Sequence, residues 1–329
     1  MDYSTATYEN FLVPSGQPPA QARDWSRVAR VARVKAALLR AAQDTLDAEG
    51  YTQVVAPLLT SMSGACGDPG TLIPVDVRGR RAYLRQTAQL HLEPLMRELG
   101  KVYSISRSFR AERRADDRHL TEFTLIEAEA AGSTLPDMMS LMERLVSRML
   151  RHASEFARPH LAELGVGRAD MSRVTIPFAR MTYDDAIIAL QKSGHFIEWG
   201  EDLSNAHELA LTRLVEGPLF VTHYPAELRF FTMKNSRTDP RLVECCDLLL
   251  PGVGEVMGAS ETEVDPDLLE RKLVSSRGVR QVLDLGGSAD DYAWYIAMRR
   301  RSSGRQAGFG MGLERLVRYA CGLERIADA

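Results

Sequence analysis

Residues 102–123 carry the feature that most constrains the fold of this chain. The sequence there is Val102-Tyr-Ser-Ile-Ser-Arg-Ser-Phe-Arg-Ala-Glu112, a polar segment, and then Arg118-His-Leu-Thr-Glu-Phe123. Strand-like residues on both sides of a polar turn predict two strands, at 102–111 and 119–130. Arg110 lies between hydrophobic neighbours, where a permanent charge is costly unless a fixed anion faces it. That anion is either a core glutamate or a bound ligand.

A glycine-rich segment near the C-terminus is the second constraint. Its sequence is Gly308-Phe-Gly-Met-Gly-Leu-Glu-Arg315. The pattern predicts a strand at 306–310 and a helix at 313–319. Alternating glycines let a ligand approach the backbone closely. Taken alone they are weak evidence, because most such segments are ordinary loops.

Two carboxylates bracket a predicted strand–turn–strand at 246–260. They belong to Asp247 and Glu255. If both reach one polyphosphate, their oxygens suit Mg²⁺, which carboxylates commonly hold together with phosphates. The alternative is a pair of solvated turn acids.

The remaining pattern predicts an α+β fold, because antiparallel strands are accompanied by helices set apart on one side. Apolar residues recur at three- and four-residue steps in helices predicted at 26–48 and 136–156, and a shorter helix is predicted at 90–99. Ser26 is expected to cap the first helix and Gly50 to end it. Further strands are predicted at 52–55, 82–84, 219–222, 228–233 and 243–250.

We divide the chain into an irregular, proline-bearing arm at 1–24 and one domain at 25–329. Within the domain, residues 61–74 are rich in glycine, serine and proline and are predicted to form a mobile loop. Residues 158–217 are predicted to form a mainly helical insertion.

Composition narrows the function. The 329 residues carry a net charge of −3, so no global field attracts nucleic acid. The four cysteines match no CxxC zinc pair and are expected to be free thiols in a reducing cytoplasm. No apolar run approaches the ~20 residues that span a bilayer. The first residues also lack the basic and apolar regions of a signal peptide.

Together these segments resemble motifs 2 and 3 of a class II aminoacyl-tRNA synthetase catalytic domain. Phe109-Arg-Ala-Glu112 with Arg118-His119 matches motif 2, and 308–315 matches motif 3. The helix at 26–48 with the segment 50–57 is similar to motif 1, which forms the dimer interface in that family, so a homodimer is implied. The resemblance covers residue 26 to the end. It implies an antiparallel sheet flanked by helices that activates a carboxylate with ATP and Mg²⁺.

Within that class the chain is similar to the aspartyl/asparaginyl branch, and closer to asparaginyl-tRNA synthetase. The segment Gln86-Thr-Ala-Gln89-Leu-His-Leu-Glu93 resembles the asparaginyl pattern, whereas aspartyl enzymes have a lysine where Leu92 stands. The segments 125–129 and 248–255 favour the same branch.

The resemblance implies a role for each matching residue. Arg110 would clamp the α-phosphate and the substrate carboxylate, and Arg315 would stack on adenine and meet the γ-phosphate. These two are the predicted catalytic residues. Asp247 and Glu255 would hold Mg²⁺. The other predicted ATP-binding residues are Glu112, Arg118, His119, Phe123 and Gly312. The residues predicted at the amino acid are Asp68, Gln89, Glu127, Ser260 and Thr262.

The sequence departs from the branch pattern in three places. Residues 1–24 leave no room for the anticodon-reading OB-fold domain, so tRNA charging is not expected. Thr262 stands where the branch has an arginine that grips the substrate side chain, and it cannot replace a planar bidentate donor. Arg305-Gln306 replaces Pro-His. The basic residues at 299–301 are interpreted as a solvated or nucleotide-proximal face.

The function expected from the sequence is a tRNA-independent ligase resembling archaeal asparagine synthetase. It would activate aspartate or a close analogue as an acyl-adenylate and pass it to ammonia or another amine, releasing AMP and pyrophosphate. One alternative is a specialised-metabolism ligase with another amino acid and a small-molecule, carrier-protein or protein-lysine acceptor. Others are a non-catalytic regulatory paralogue that binds nucleotide or amino acid, and residual transfer to tRNA.

Overall fold

The structure is a computed structural model that describes residues 24–62, 69–111, 119–167, 174–284, 286–301 and 304–329. Its helices are α1 (Trp25–Ala48), α2 (Gln89–Leu99), α3 (Leu135–Phe156), α4 (Arg158–Glu163), α5 (Tyr183–Lys192), α6 (Asn205–Leu214), α7 (Pro266–Ser275), α8 (Arg277–Asp284), α9 (Ala293–Arg300) and α10 (Leu313–Cys321). Short 3-10 helices lie at Pro69–Thr71, Ala226–Leu228, Ala289–Tyr292 and Ile326–Asp328.

The strands form two sheets. They are β1 (Thr52–Gln53), β2 (Leu59–Thr60), β3 (Ile73–Val77), β4 (Arg80–Leu84), β5 (Lys101–Phe109), β6 (Glu122–Ala131), β7 (Ala179–Thr182), β8 (Leu219–Thr222), β9 (Cys245–Leu250), β10 (Gly254–Glu261) and β11 (Gln306–Gly312). In the described residues the large sheet has eight strands in the order β1-β5-β6-β11-β10-β9-β8-β7, and the small one has the order β2-β4-β3.

The large sheet is antiparallel except at its two edges, where β1 runs parallel to β5 and β7 runs parallel to β8. Helices α1, α3 and α10 contribute to the hydrophobic core cluster on one side of it. The predicted α+β fold is therefore confirmed.

Alternation along the central strands gives the sheet two different faces. Ile126 and Ala128 of β6, Phe309 and Met311 of β11, and Ala259 of β10 are buried in the core that includes α1 and α3. The residues between them point to the other side. That second face carries glycines and carboxylates instead of apolar side chains, and we call it the site face.

Helix α1 begins one residue earlier than predicted. Asp24 Oδ1 accepts from the backbone N–H groups of Ser26, at 3.0 Å, and Arg27, at 3.1 Å. Ser26 as the cap was therefore wrong, because it lies inside the first turn and the preceding acid satisfies the free donors. The end of the helix is confirmed, since it ends at Ala48 and Gly50 adopts φ 81° two residues later.

One predicted strand needs correction, and two other predicted segments contain elements that were not predicted. Residues 228–233 do not form a strand. Phe230 and Phe231, the apolar residues that suggested one, belong instead to a core cluster with Tyr292 and Tyr295. The insertion at 158–217 contains β7, an edge strand, in addition to its helices. Of the predicted mobile loop at 61–74, residues 69–71 are helical and 73–74 lie in β3, while 63–68 fall outside the described residues.

Residues 1–23 of the predicted arm also lie outside the described residues. Cys245, Cys246 and Cys321 are buried free thiols. Among the described residues, no helix has both the length and the apolar character needed to cross a membrane.

Candidate active site

Four glycines form the floor of the site face. Gly258 lies on β10, Gly308 and Gly310 lie on β11, and Gly312 ends β11. Their missing side chains leave room beside the carboxylates of the neighbouring strands. At Gly308 a Cβ atom would lie 2.3–2.4 Å from the carboxylate of Glu129, so a larger residue there would displace that group.

Arg110 lies just beyond β5, and the pairing of its backbone N–H with Thr121 O at 2.9 Å keeps it beside the start of β6. Its guanidinium carbon is 5.2 Å from the centre of the Phe123 ring. It also acts electrostatically on the buried carboxylate of Glu127 and on the half-buried carboxylate of Glu255. The structure thus brings these four predicted residues together. His119 is half-buried, whereas Glu112 and Arg118 lie outside the described residues.

Arg315 lies in the first turn of α10, and its side chain reaches β10. Its Nη1 donates to the Glu255 carboxylate at 3.1 Å and to the Glu255 backbone oxygen at 2.8 Å. A Cβ atom at Gly312 would lie 3.7 Å from its Cδ, so the glycine lets the arginine stem pass close to the strand. Arg315 therefore binds directly the carboxylate on which Arg110 acts electrostatically.

The neighbouring Glu314 points into the core and fixes the position of this helix. Its carboxylate accepts from the Thr124 backbone N–H and hydroxyl, both at 2.9 Å, and from Lys35 Nζ at 2.8 Å. These contacts join α10 to β6 and α1. Because they hold the first turn of α10 against the sheet, they also fix the position of Arg315.

Asp247 and Glu255 lie on either side of Gly258. A Cβ atom at this glycine would be 3.3 Å from Asp247 Oδ1 and 3.6 Å from Glu255 Oε1. Arg229 Nη2 donates to Asp247 at 2.5 Å. Burial raises the pKa of Asp247 to about 6, with Arg229 opposing and Glu255 reinforcing the rise. Two adjacent carboxylates around an open glycine fit Mg²⁺, which takes such oxygens together with phosphates.

Burial alone would raise the pKa of Glu255, but Arg315 and Arg229 outweigh it, and the pKa is lowered overall. Glu255 therefore remains ionised beside Asp247. In the described residues no group of three or more His, Cys, Asp or Glu side chains could hold a metal ion, so the pair would depend on the nucleotide for further ligands.

The predicted amino-acid residues Gln89 and Glu127 lie at the start of α2 and on β6. Glu127 accepts from the Thr87 hydroxyl and, at 2.9 Å, from the Ala88 backbone N–H. Burial raises its pKa, and these two hydrogen bonds oppose the rise. Gln89 Nε2 donates to Glu93 Oε1 at 3.0 Å. The predicted Asp68 lies outside the described residues.

Arg85 is a site-supporting residue that the sequence interpretation missed. It is fully buried and donates to Pro57 O at 2.9 Å and to the Ser106 hydroxyl, and thereby ties the segment before α2 to β5. The sequence signal that could have identified it was a permanent charge directly after the predicted strand at 82–84.

A second group that the sequence interpretation missed surrounds Arg299, near the start of β11. Arg299 is 4% exposed and donates to Glu93, to Gln306 Oε1 and, at 3.0 Å, to the Tyr295 hydroxyl. The interpretation of 299–301 as a solvated or nucleotide-proximal face was therefore wrong for Arg299. Thr262 is buried beside this group, and its backbone N–H donates to Gln306 O at 3.1 Å. Ser260 lies opposite Gly308 on β10.

The profile of the family described as tRNA synthetases class II (D, K and N) matches residues 22–329. An asparagine–tRNA ligase of Thermococcus gammatolerans is 38% identical over 301 residues, which make up 91% of this chain and 67% of that protein.

Solved structures show the same likeness. The asparaginyl-tRNA synthetase from Pyrococcus horikoshii complexed with asparaginyl-adenylate superposes with a TM-score of 0.84 at 37% identity, over 92% of this chain and 68% of that one. The asparaginyl-tRNA synthetase of Entamoeba histolytica in complex with asparaginyl-adenylate gives 0.82 at 26% identity, over 99% of this chain and 73% of that one.

Proposed function

The chain belongs to the class II tRNA synthetases of the D, K and N group, a family of adenylate-forming ligases, and we propose that it activates an amino acid with Mg²⁺-ATP and transfers it to an amine. The observation that carries this proposal is the position of Arg110, whose guanidinium lies over the Phe123 ring and acts electrostatically on both Glu127 and Glu255. One cation there faces both the end of the site that would hold an amino acid and the end that would hold phosphates.

In the proposed first step the amino-acid carboxylate attacks the α-phosphorus of ATP, and pyrophosphate leaves. Arg110 binds the attacking carboxylate and the α-phosphate, so the two reacting groups are held together. Arg315 supplies a second fixed cation from α10. Preorganised charges of this kind stabilise the negative charge that develops on the phosphate oxygens.

Asp247 and Glu255 are proposed to hold the cation. When bound, Mg²⁺ would neutralise phosphate charge, and the two carboxylates would orient the polyphosphate over Gly258. In the structure each carboxylate is paired with an arginine, Asp247 with Arg229 and Glu255 with Arg315. Each carboxylate is therefore held in place by an ion pair with an arginine.

Glu127 and Gln89 are proposed to bind the amino acid near its ammonium and carboxylate ends. Glu127 is already fixed by Thr87 and Ala88, so ordering it costs little when a substrate arrives. Phe123 offers an aromatic face for the adenine base.

The acceptor is proposed to be ammonia or another amine, with release of AMP. Thr262 and Gln306 depart from the branch pattern at the far end of the site, which supports a substrate side chain held differently from that of the branch. A second candidate is the 3′ end of a tRNA, because the relatives named above are asparagine–tRNA ligases. Aspartate and its close analogues are the proposed acids.

Amino-acid-dependent ATP–pyrophosphate exchange tests the first step. Purified protein is assayed with each of the twenty amino acids, and exchange is expected with at least one small polar acid. Absence of exchange with all of them, despite ATP binding, would overturn the adenylation proposal. Ammonia, hydroxylamine and unfractionated tRNA are then added in separate reactions. Amide or hydroxamate formation supports the amine acceptor, whereas aminoacylated tRNA as the sole product contradicts it.

We also propose a homodimer, through the segment that follows α1. Val55, Leu58 and Leu59 are exposed there, Val55 at 96%, and a second copy would cover such apolar surface. The buried free thiols suit a reducing compartment, so we place the activity in the cytoplasm.

A further inference from the structure

The segment between β4 and α2, residues 85–88, joins the strand that precedes Arg110 to the carboxylate of Glu127. We call it the bridging segment. The backbone oxygen of its first residue accepts from the Phe109 N–H at 3.0 Å, directly before Arg110 in the chain. At its other end the Ala88 N–H donates to the Glu127 carboxylate at 2.9 Å. The separation of Arg110 and Glu127 therefore depends on how the bridging segment is held.

Arg85 holds the bridging segment through its side chain. The residue is 0% exposed. Its Nη1 donates to Pro57 O at 2.9 Å, and its Nη2 donates to the Ser106 hydroxyl and, at 3.3 Å, to Arg107 O. These acceptors belong to β5 and to the chain before β2. A rigid planar guanidinium can fix several acceptors at once, which neither an ammonium nor a neutral amide does with the same geometry.

The charge of Arg85 has neutral hydrogen-bond partners. Its acceptors are two carbonyl oxygens and a hydroxyl, and its Nε is buried without a partner among the described residues. A permanent charge buried in this way is costly, and uncharged residues often serve packing alone as well. Burial lowers the pKa of Arg85, and the charge of Glu127 opposes that decrease. The acid that responds to this buried charge is therefore a residue of the site.

Glu127 needs support of this kind, because burial raises its pKa. Four groups oppose the rise, which are, in decreasing order, the hydrogen bonds from Thr87 and Ala88 and the charges of Arg85 and Arg110. Glu129, two residues along β6, is the acid that interacts electrostatically with Glu127. The residues paired with Glu127 on β5 and β11, Ser104 and Gly310, carry no charge. Only an ionised carboxylate attracts an ammonium by charge, so the two arginines favour the form that an amino acid requires.

We propose that Arg85 is a positioning residue of the adenylation step, and this inference rests on the function proposed above. It holds Arg110 and Glu127 at the separation that fits the carboxylate and ammonium ends of one amino acid. It also keeps Glu127 charged in a buried place. Arg85 acts through these two residues and is itself fully buried.

The experiment measures ATP–pyrophosphate exchange by the full chain as a function of pH, with the amino acid of the twenty that gives the highest wild-type rate. The value of kcat/KM for the amino acid falls at acidic pH as Glu127 is protonated. Arg85→Gln removes a charge that favours the ionised form, so this fall should move to higher pH by about 1 pH unit. The KM for the amino acid at neutral pH should rise by about 10-fold, and the KM for ATP should stay unchanged.

Arg85→Lys separates charge from geometry, because it keeps the positive charge but lacks the planar fork. The pH of the fall should therefore remain that of the wild type, whereas the KM for the amino acid should still rise. Arg144→Gln is the matched control, since Arg144 pairs with Glu49 away from the site face, and it should change neither quantity. The assignment is overturned if Arg85→Gln behaves like this control. Equal losses in both Arg85 variants without any change in the pH profile would also overturn it.

A binding measurement separates the two proposals. In the presence of a non-hydrolysable ATP analogue, the twenty amino acids are screened for an increase in the Tm of the wild type. Arg85→Gln should lose this increase at a higher pH than the wild type does. Wild-type Tm shifts without exchange would overturn adenylation and retain the positioning role. Exchange accompanied by equal Tm shifts in both proteins at every pH would overturn the positioning role alone.

Ser106→Ala decides the case in which Arg85→Gln does not fold. It deletes one acceptor of the Arg85 guanidinium and leaves the charge in place. The KM for the amino acid should rise at an unchanged pH profile. A wild-type KM in both Ser106→Ala and Arg85→Lys would overturn the assignment.

Discussion

The Glu129 carboxylate lies across the face of Gly308, where a Cβ atom would be 2.3–2.4 Å from its carbon and oxygens. The glycine is thus required by a neighbouring strand, in addition to any ligand that approaches it. This relationship couples the shape of the glycine floor to a buried carboxylate of the neighbouring strand. It also supports a direct test of the site face.

Gly308→Ala should lower amino-acid-dependent exchange by 100-fold or so, because displacing a buried carboxylate by an ångström disrupts the substrate geometry. The pyrophosphate exchange assay with the best amino acid measures this. Gly217→Ala is the control, since a Cβ there meets only one backbone oxygen at 3.9 Å. Wild-type activity in Gly308→Ala would contradict the position we give to Glu129.

Arg110→Ala should slow exchange by 100-fold or more. Removal of one preorganised charge donor typically costs ~3 kcal/mol of transition-state stabilisation. Since Arg110 faces both the carboxylate and the phosphate, kcat should fall together with kcat/KM. Arg325→Ala, which breaks a surface pair with Asp328, is a control that should change neither. A purely raised KM for ATP would mean that Arg110 only binds the nucleotide.

Asp247→Asn should increase the Mg²⁺ concentration needed for half-maximal exchange by at least tenfold or so, because one charged oxygen ligand of the proposed pair is lost. Titration of MgCl₂ at saturating ATP measures this, and EDTA should abolish exchange by the wild type. Asp239→Asn removes a carboxylate that pairs with Arg241 on the surface, and it should leave the titration unchanged. An unchanged titration for Asp247→Asn would place the cation elsewhere.

Local pattern predicted the parts of the site that lie within single segments. The strand before Arg110, the glycines of β11 and the helix with Arg315 in its first turn each follow from neighbouring residues, and all were found in the described structure. Burial of Arg299 could not be predicted in this way. Its partner Glu93 is 206 residues away in sequence, and an arginine next to two others is usually a surface residue.

The edge strand β7 also could not be predicted from local sequence pattern. Residues 179–182 become β7 through parallel pairing with β8, a contact that depends on the fold of the whole insertion. Phe230 and Phe231 show the converse error, since an apolar run can serve the packing of a loop as well as a strand.

Lys272 provides a test of the electrostatics away from the site. Its ammonium donates to Met233 O and, at 2.7 Å, to Asn235 Oδ1, and burial lowers its pKa to about 8, with Glu263 opposing. The unfolded chain keeps an ordinary lysine pKa near 10.5. Between these values the unfolded state binds more protons, so this group makes the free energy of unfolding rise with pH from about 8 to about 10.5.

Lys272→Met should remove that rise. Urea unfolding at pH 7 and pH 10 should show a wild-type gain, relative to the variant, of at most about 3 kcal/mol. Taking the difference between the proteins cancels the other groups that titrate in the same range. Lys192→Met alters an exposed lysine at the end of α5 and should follow the wild type. Parallel stability curves for Lys272→Met and the wild type would contradict the lowered pKa of Lys272, because they would show that its ammonium is as well solvated in the folded protein as in the unfolded chain.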